Sequence, residues 1–204
     1  MRRYKWTASQ SLEGEIRTVP LEVALMLQLQ PAAGETSAVE ALLDWYDLDL
    51  ELILVLERPV LCMDLLDDRN SLGHHLPEDQ AKTIVKQLVD ALIEVHSKEV
   101  FHRDIKLDNI LIETGSDVPR VRLIDFGTLL SEGLYSTRLG TFGNSCAEWF
   151  LFRCYRAEPS TVWQLGVVLF TLLQGQFPLT KSALKSLTSE DTFPQSDQDA
   201  KLFF

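Results

Sequence analysis

Apolar residues at Leu21, Ala24, Leu25 and Leu29 recur at helical spacing behind a proline, so PLEVALMLQLQ predicts a helix from about residue 20 to 30, with Pro20 in its first turn. PAAGET (Pro31 to Thr36) has the composition of a loop. Two β-rich runs follow, VEALLDWYD and LELILVLE, separated by an acidic turn at Asp47 to Asp49, and together they predict an antiparallel hairpin. Pro59 closes the second strand, because proline has no N–H for a ladder and restricts the residue before it.

From Pro77 to about Ser97 the helical pattern is at its clearest. Ala81, Ile84, Val85, Leu88, Ala91, Leu92 and Val95 share one face, while Glu78, Lys82, Lys86, Asp90 and Glu94 share the other. Two short strand-like pieces, NILIE and VRLID, flank the turn-rich TGSDVP, and an irregular span rich in Gly, Ser and Thr runs from Thr128 to about Ala147. A span of that length inside a compact domain is usually functional. VWQLGVVLFTLLQG is apolar nearly all round, which predicts a helix buried on every side and ended by Gly175. The chain then turns polar, and the helix-like SDQDAKLFF suggests that it stops inside an element.

With 204 residues, 46% hydrophobic and 24% charged, the chain has the size and composition of one globular domain or two small ones. Three cysteines (Cys62, Cys146, Cys154) form no CxxC pair, which points to a reducing compartment and a cytoplasmic or nuclear protein. No apolar stretch is long enough to span a bilayer, so neither membrane nor secretory targeting is expected. A net charge of -11 opposes nucleic-acid binding and makes basic peptides the more natural partners, although an acidic balance also serves solubility.

The chemistry concentrates in HRDIKLDN (His102 to Asn109) and IDFG (Ile124 to Gly127). Phosphoryl transfer needs a residue that orients the attacking hydroxyl, a divalent metal that neutralises the phosphates, and positioned positive charge. Asp104 is the candidate base. Asn109, five residues on, and Asp125 are candidate magnesium ligands, since hard oxygen donors suit an ion that gives up its waters reluctantly. Either motif alone is a fair candidate for a chance tripeptide. Both in this order, after a long amphipathic helix and before a buried one, are not.

At these residues the sequence resembles the eukaryotic protein kinases, and Lys106 is the form seen in their serine/threonine class, where it contacts the transferring phosphate. The hinge-like LERPVLCMDLLD (Leu56 to Asp67) is similar to the Pim family, which carries a proline where other kinases offer adenine a backbone N–H. That resemblance implies a two-lobed α+β fold: residues 1–57 a depleted N-lobe of one helix and a hairpin, residues 58–204 a mainly helical C-lobe. It implies a monomeric enzyme using ATP and Mg2+, with Glu57, Asp64, Leu111 and Ile124 around the nucleotide and Thr141 counted with Asp104 and Lys106 among the catalytic residues. Asp64, Asp67 and Asp108 stand where that family faces substrate arginines. Glu22 corresponds to the αC glutamate, Arg103 and Gly127 to structural positions of the two loops, and Glu148 to the glutamate of Ala-Pro-Glu, expected to lack its usual arginine partner unless Arg153 or Arg156 serves.

Several expected features depart from the family pattern. No G-x-G-x-x-G occurs, no VAIK-type lysine is recognised, and Lys5 lies too far along to serve. Thr161, where kinases generally place an aspartate two residues before Trp163 and the Pim family does not, departs from kinases at large and supports the Pim resemblance. STRLGT puts Arg138 where Pim-like chains are acidic, so phosphorylation of Ser136 or Thr137 is the expected source of charge against Arg103. Weak or no activity is expected of a chain lacking the phosphate grip, and a truncated, non-catalytic interaction protein is the rival reading.

Overall fold

The computed structural model describes residues 7–12, 15–31, 37–48, 51–73, 75–115, 119–126, 134–136 and 141–178. Lys5, His74, Gly127, Thr137, Arg138 and the terminal run SDQDAKLFF lie outside the described residues. A hairpin that the hydrophobic pattern did not announce, β1 (Thr7–Leu12) and β2 (Glu15–Pro20), leads directly into helix α1 (Leu21–Leu29). Pro20 is the N-cap of α1 and not a member of its first turn. Its φ of -53° and ψ of 141° make it the last extended residue before the helix. Val23, Ala24, Leu25, Met26 and Leu29 are all buried, so α1 lies inside the smaller lobe instead of presenting one stripe to it.

The expected second hairpin is β3 (Leu42–Asp47) against β4 (Leu52–Leu56), with a bulge between Leu42 and Asp44. The strand begins later than VEALLDWYD suggests. Val39 leaves it to form a parallel bridge with Leu123, so the segment before β3 crosses to the other lobe. After the linker at Glu57–Leu61 comes a three-stranded antiparallel sheet, β5 (Cys62–Asp64), β6 (Ile110–Glu113) and β7 (Arg120–Leu123), in the order β5-β6-β7. Helix α2 (Leu65–Ser71) grows straight from β5, because the Asp64 side chain accepts the Asp67 N–H and caps it.

Helix α3 (Glu78–Ser97) buries Ala81, Ile84, Leu88, Ala91, Leu92 and Val95, which is the face its sequence prescribes, with Val85 at the margin. It ends in a Schellman motif: Glu99 takes a left-handed φ of 56°, its N–H reaches the His96 carbonyl, and the Val100 N–H reaches that of Val95. Beyond the short helix α4 (Ala147–Phe152) and the strand pair β8 (Leu134–Tyr135) and β9 (Tyr155–Arg156), helix α5 (Ala157–Gln174) packs on α3 and stops at Gly175, whose φ of 69° only glycine adopts without strain. It is not buried on every side: Val162 and Phe170 face outward at 66% and 40% exposure. One continuous core runs from Val19 and α1 through Leu42, β6, β7 and α3 to Val168 and Leu172. No helix among the described residues is long and apolar enough to cross a membrane.

Leu88 is fully buried at the centre of that core, so Leu88→Ala is expected to cost about 2–5 kcal/mol in urea unfolding. Ile93, on the outer face of the same helix, is exposed, and Ile93→Ala is expected to change stability by less than about 0.5 kcal/mol.

Candidate active site

The chain between α3 and β6 is irregular, and it is buried. Phe101 to Ile105 are all inside, and the backbone of His102 to Ile105 belongs to neither helix nor sheet, so several of its polar groups need side-chain partners. Gln164 of α5 accepts the Ile105 N–H at 2.9 Å through Oε1 and donates to the Arg103 carbonyl at 2.8 Å through Nε2. Asn109 Nδ2 donates to the Asp104 carbonyl at 2.9 Å, and Asn144 Nδ2 to that of Ile105 at 3.3 Å. His102 Nε2 donates to the Ile124 carbonyl at 2.8 Å while its Nδ1 accepts the Asp104 N–H, a pattern that requires the neutral imidazole. Burial pushes the His102 pKa down and favours the same form.

The fold thereby presents Asp104 in a fixed orientation. Its Oδ1 accepts the Thr141 N–H at 2.8 Å, its Oδ2 lies 3.2 Å from Lys106 Nζ, and Lys106 donates onward to Thr141 Oγ1 at 3.1 Å. Asn109 sits in a short 3-10 turn, Leu107–Asn109, and spends its amide nitrogen on Asp104, which leaves Oδ1 as its metal-seeking atom. The Asn109 carbonyl accepts the Ile124 N–H, tying this loop to the second motif.

There, Phe126 is buried against the His102 ring at 4.8 Å between centroids, while Asp125 is exposed with a left-handed φ of 64°. The reversal lets two consecutive side chains part, one into the core and one into the cleft. Holding a non-glycine residue there costs about 1–3 kcal/mol, a strain that tends to gather at functional sites. Two oxygen donors, Asn109 Oδ1 and the Asp125 carboxylate, fit magnesium in kind.

Glu22, in the first turn of α1, faces Asp125, and burial together with that neighbouring charge raises its pKa. On the linker, Glu57 is held by its own N–H to the Ala41 carbonyl at 2.8 Å and by its carboxylate to Arg122 at 3.4 Å. Arg122 also pairs with Glu113 at 2.6 Å and donates to the Ser37 carbonyl, so one guanidinium joins linker, sheet and crossing segment. Leu111 pairs with Asp64 across β5 and β6, and Ile124, the first residue of the second motif, is bonded to Asn109 of the first. Asp67 and Asp108 are exposed on α2 and the adjoining turn, beside the half-buried Asp64.

Several residues with work here were not singled out from sequence. Gln164 anchors the loop at both Arg103 and Ile105, whereas the Thr161 hydroxyl donates within its own helix, to the Ala157 carbonyl. A lone glutamine in an otherwise apolar helix was the available signal. Arg103, nearly fully buried with a left-handed φ of 68°, lies 4.2 Å from the Tyr135 ring and donates to the Tyr155 hydroxyl through Nε at 3.1 Å and through Nη2. The Tyr135 ring and the Tyr155 hydroxyl thus cage part of the charge against which a phosphorylated Ser136 or Thr137 was the expected partner. Ser136 is exposed directly after Tyr135. Glu148, in the first turn of α4, faces the Cys146 thiol, whose pKa burial pushes to about 11, and Arg153 stacks on Trp149 at 5.8 Å.

Two outcomes follow from this geometry. Gln164→Leu strands the Ile105 N–H and Arg103 carbonyl away from water, and urea unfolding is expected to show a loss of about 2–5 kcal/mol. His102 has a depressed folded pKa, so its neutral form contributes stability that is present above pH 6.5 and declines as pH falls through the folded value. NMR is expected to show the His102 ring still neutral just below pH 6.5.

The sequence matches the family model described as protein kinase domain over residues 5–200. It is 36% identical over 173 residues to the serine/threonine-protein kinase pim-2 of Danio rerio, covering 82% of this chain and 55% of that protein. It is 36% identical over 164 residues to the serine/threonine-protein kinase prk-2 of Caenorhabditis elegans, covering 78% and 35%. Sperm motility kinase 2B of Mus musculus is 32% identical over 149 residues, covering 69% and 30%. The chain therefore spans about half or less of the length of these curated relatives. With the two motif loops joined around Asp104 and the match extending over nearly all of its residues, the chain belongs to the protein kinase family.

Proposed function

We propose that this chain binds ATP with magnesium and transfers the γ-phosphate to serine or threonine hydroxyls on arginine-rich peptides. The observation that carries the reading is the fixed Asp104 carboxylate, gripped by the Thr141 N–H and neighboured by Lys106 Nζ at 3.2 Å. A substrate hydroxyl hydrogen-bonded to Asp104 is oriented for attack on the γ-phosphorus. Its oxygen forms the new P–O bond as the bond to the β–γ bridging oxygen breaks, ADP departs, and the hydroxyl proton passes to Asp104. Lys106 places positive charge where the transferring phosphoryl oxygens gather. Magnesium, when bound by Asn109 and Asp125, neutralises the phosphates. On the linker, Pro59 has no N–H for adenine, so the Glu57 carbonyl, held in place by the Arg122 contact, is the acceptor for the adenine amino group.

Asp64, Asp67 and Asp108 support the choice of basic substrate. They sit on neighbouring elements beside the cleft, and a guanidinium finds charge-assisted acceptors there. Since the sequence holds no G-x-G-x-x-G loop, phosphate positioning rests on these residues and turnover by this chain is expected to be slow.

Radiolabelled phosphate transfer to an arginine-rich serine peptide is expected to be detectable and to fall by at least about a hundredfold in Asp104→Asn. Asp67→Asn with Asp108→Asn is expected to reduce the preference for that peptide over its alanine-substituted form roughly threefold to tenfold. Incorporation unchanged by Asp104→Asn overturns the catalytic reading. Absence of both incorporation and stabilisation by Mg-ATP favours a non-catalytic binding protein.

A further inference from the structure

We propose that Thr114 is a positioning residue for the adenine-facing linker: its N–H and its hydroxyl both donate to the Leu61 carbonyl, hold Leu61 left-handed, and so fix the bow of chain from which Glu57 offers its carbonyl. The starting point is a backbone outlier. Among the described residues, five that are not glycine have a positive φ. Glu99 and Arg153 close the C-terminal ends of α3 and α4, and Arg103 and Asp125 belong to the two motif loops. Leu61 is the fifth, with a φ of 60° on the linker. Its side chain is 69% exposed, so packing does not impose the conformation, and leucine, unlike asparagine, has no polar side chain to ease it.

What is held is the Leu61 carbonyl. It accepts the Thr114 N–H at 2.8 Å and the Thr114 hydroxyl at 2.9 Å. Cys62 pairs with Glu113 in the ladder of β5 and β6, so these two bonds extend the ladder by one rung into the linker. The other end of the linker is tied to the same sheet: the Glu57 carboxylate meets Arg122 at 3.4 Å, and Arg122 meets Glu113 at 2.6 Å. Between these anchors Cys62 Sγ donates to the Pro59 carbonyl at 3.1 Å, closing a tight turn over Val60 and Leu61. Pro59 has a fixed φ and cannot absorb a change of path. The turn into β5 therefore falls on Leu61. A relaxed Leu61, right-handed or extended, swings its carbonyl away from Thr114, opens the turn at Pro59 and changes the angle at which the Glu57 carbonyl meets adenine. Thr114 thus couples the end of the β6 strand to the adenine side of the cleft, away from the phosphates.

The inference rests on the reading of the Glu57 carbonyl as the adenine acceptor, so the test has two arms. In the full chain without nucleotide, NMR scalar couplings are expected to report a positive Leu61 φ in wild type and in Thr114→Ser. In Thr114→Val, which keeps the N–H and loses the hydroxyl, they are expected to average toward negative φ. Calorimetry with Mg-ADP is expected to show Kd raised about threefold to fivefold in Thr114→Val and within about twofold of wild type in Thr114→Ser. Adding Leu61→Gly to Thr114→Val is expected to recover most of that loss, because glycine takes a positive φ without strain. The affinity gained on adding Mg2+ to ADP is expected to be the same in every variant, since the change lies at adenine. A positive Leu61 φ in Thr114→Val, an unchanged Kd, or no recovery on adding Leu61→Gly overturns the proposal. If wild type binds no Mg-ADP, the adenine reading fails separately, and the coupling arm still decides whether Thr114 holds Leu61.

Discussion

A buried loop without regular secondary structure is the constraint on which the rest of this molecule depends. His102 to Ile105 lie inside the protein, where every unmet N–H or carbonyl costs about 1–3 kcal/mol, yet they make neither helix nor ladder. The cost is offset by amide and imidazole side chains from four separate places: Gln164 on α5, Asn144 ahead of α4, Asn109 just before β6, and His102 itself, whose Nδ1 accepts the Asp104 N–H. Each of these bonds also aims something. With the Arg103 and Ile105 backbones held, Asp104 has little freedom to point anywhere but toward Thr141 and Lys106, so the groups that stabilise the fold also preorganise the site.

Charge is distributed around that rigid centre with a consistent sense. Glu22, Glu40 and Asp125 converge on the cleft, and the first two have raised pKa values because burial and the neighbouring Asp125 charge oppose their ionisation. Such a cluster is unfavourable by itself and becomes favourable beside a cation. On the opposite rim Lys106 is the positive group facing Asp104, and deeper still Arg103 is enclosed by Tyr135 and Tyr155. Arg122 serves the architecture by joining linker, sheet and crossing segment.

Contiguous chemistry was legible in the sequence. HRDIKLDN and IDFG carry their spacing with them, α3 announces its buried face by strict helical period, and the β3–β4 hairpin follows from two β-rich runs around an acidic turn. What was not legible depends on partners far along the chain. Gln164 lies 59 and 61 positions from the backbone groups it satisfies, and nothing local in VWQLG says that its amide turns toward the catalytic loop. Glu40 looked like a strand residue because VEALLDWYD reads as one β run, whereas the bridge to Leu123 pulls its first residues out of the hairpin. The β1–β2 hairpin and the cage on Arg103 were missed for the same reason. Their stabilising contacts, with α1 and between β8 and β9, exist only in three dimensions.

The central claim is that the Asp104 loop and the Asp125 loop form a single nucleotide and metal site. Anomalous scattering from Mn2+, in crystals grown with an unhydrolysable ATP analogue, tests it most directly. Manganese bonded to Asn109 Oδ1 and to the Asp125 carboxylate, with the terminal phosphate beside Lys106 and Asp104, is the expected result. Nucleotide bound with no metal at Asp125, or manganese lodged away from both loops, would contradict it.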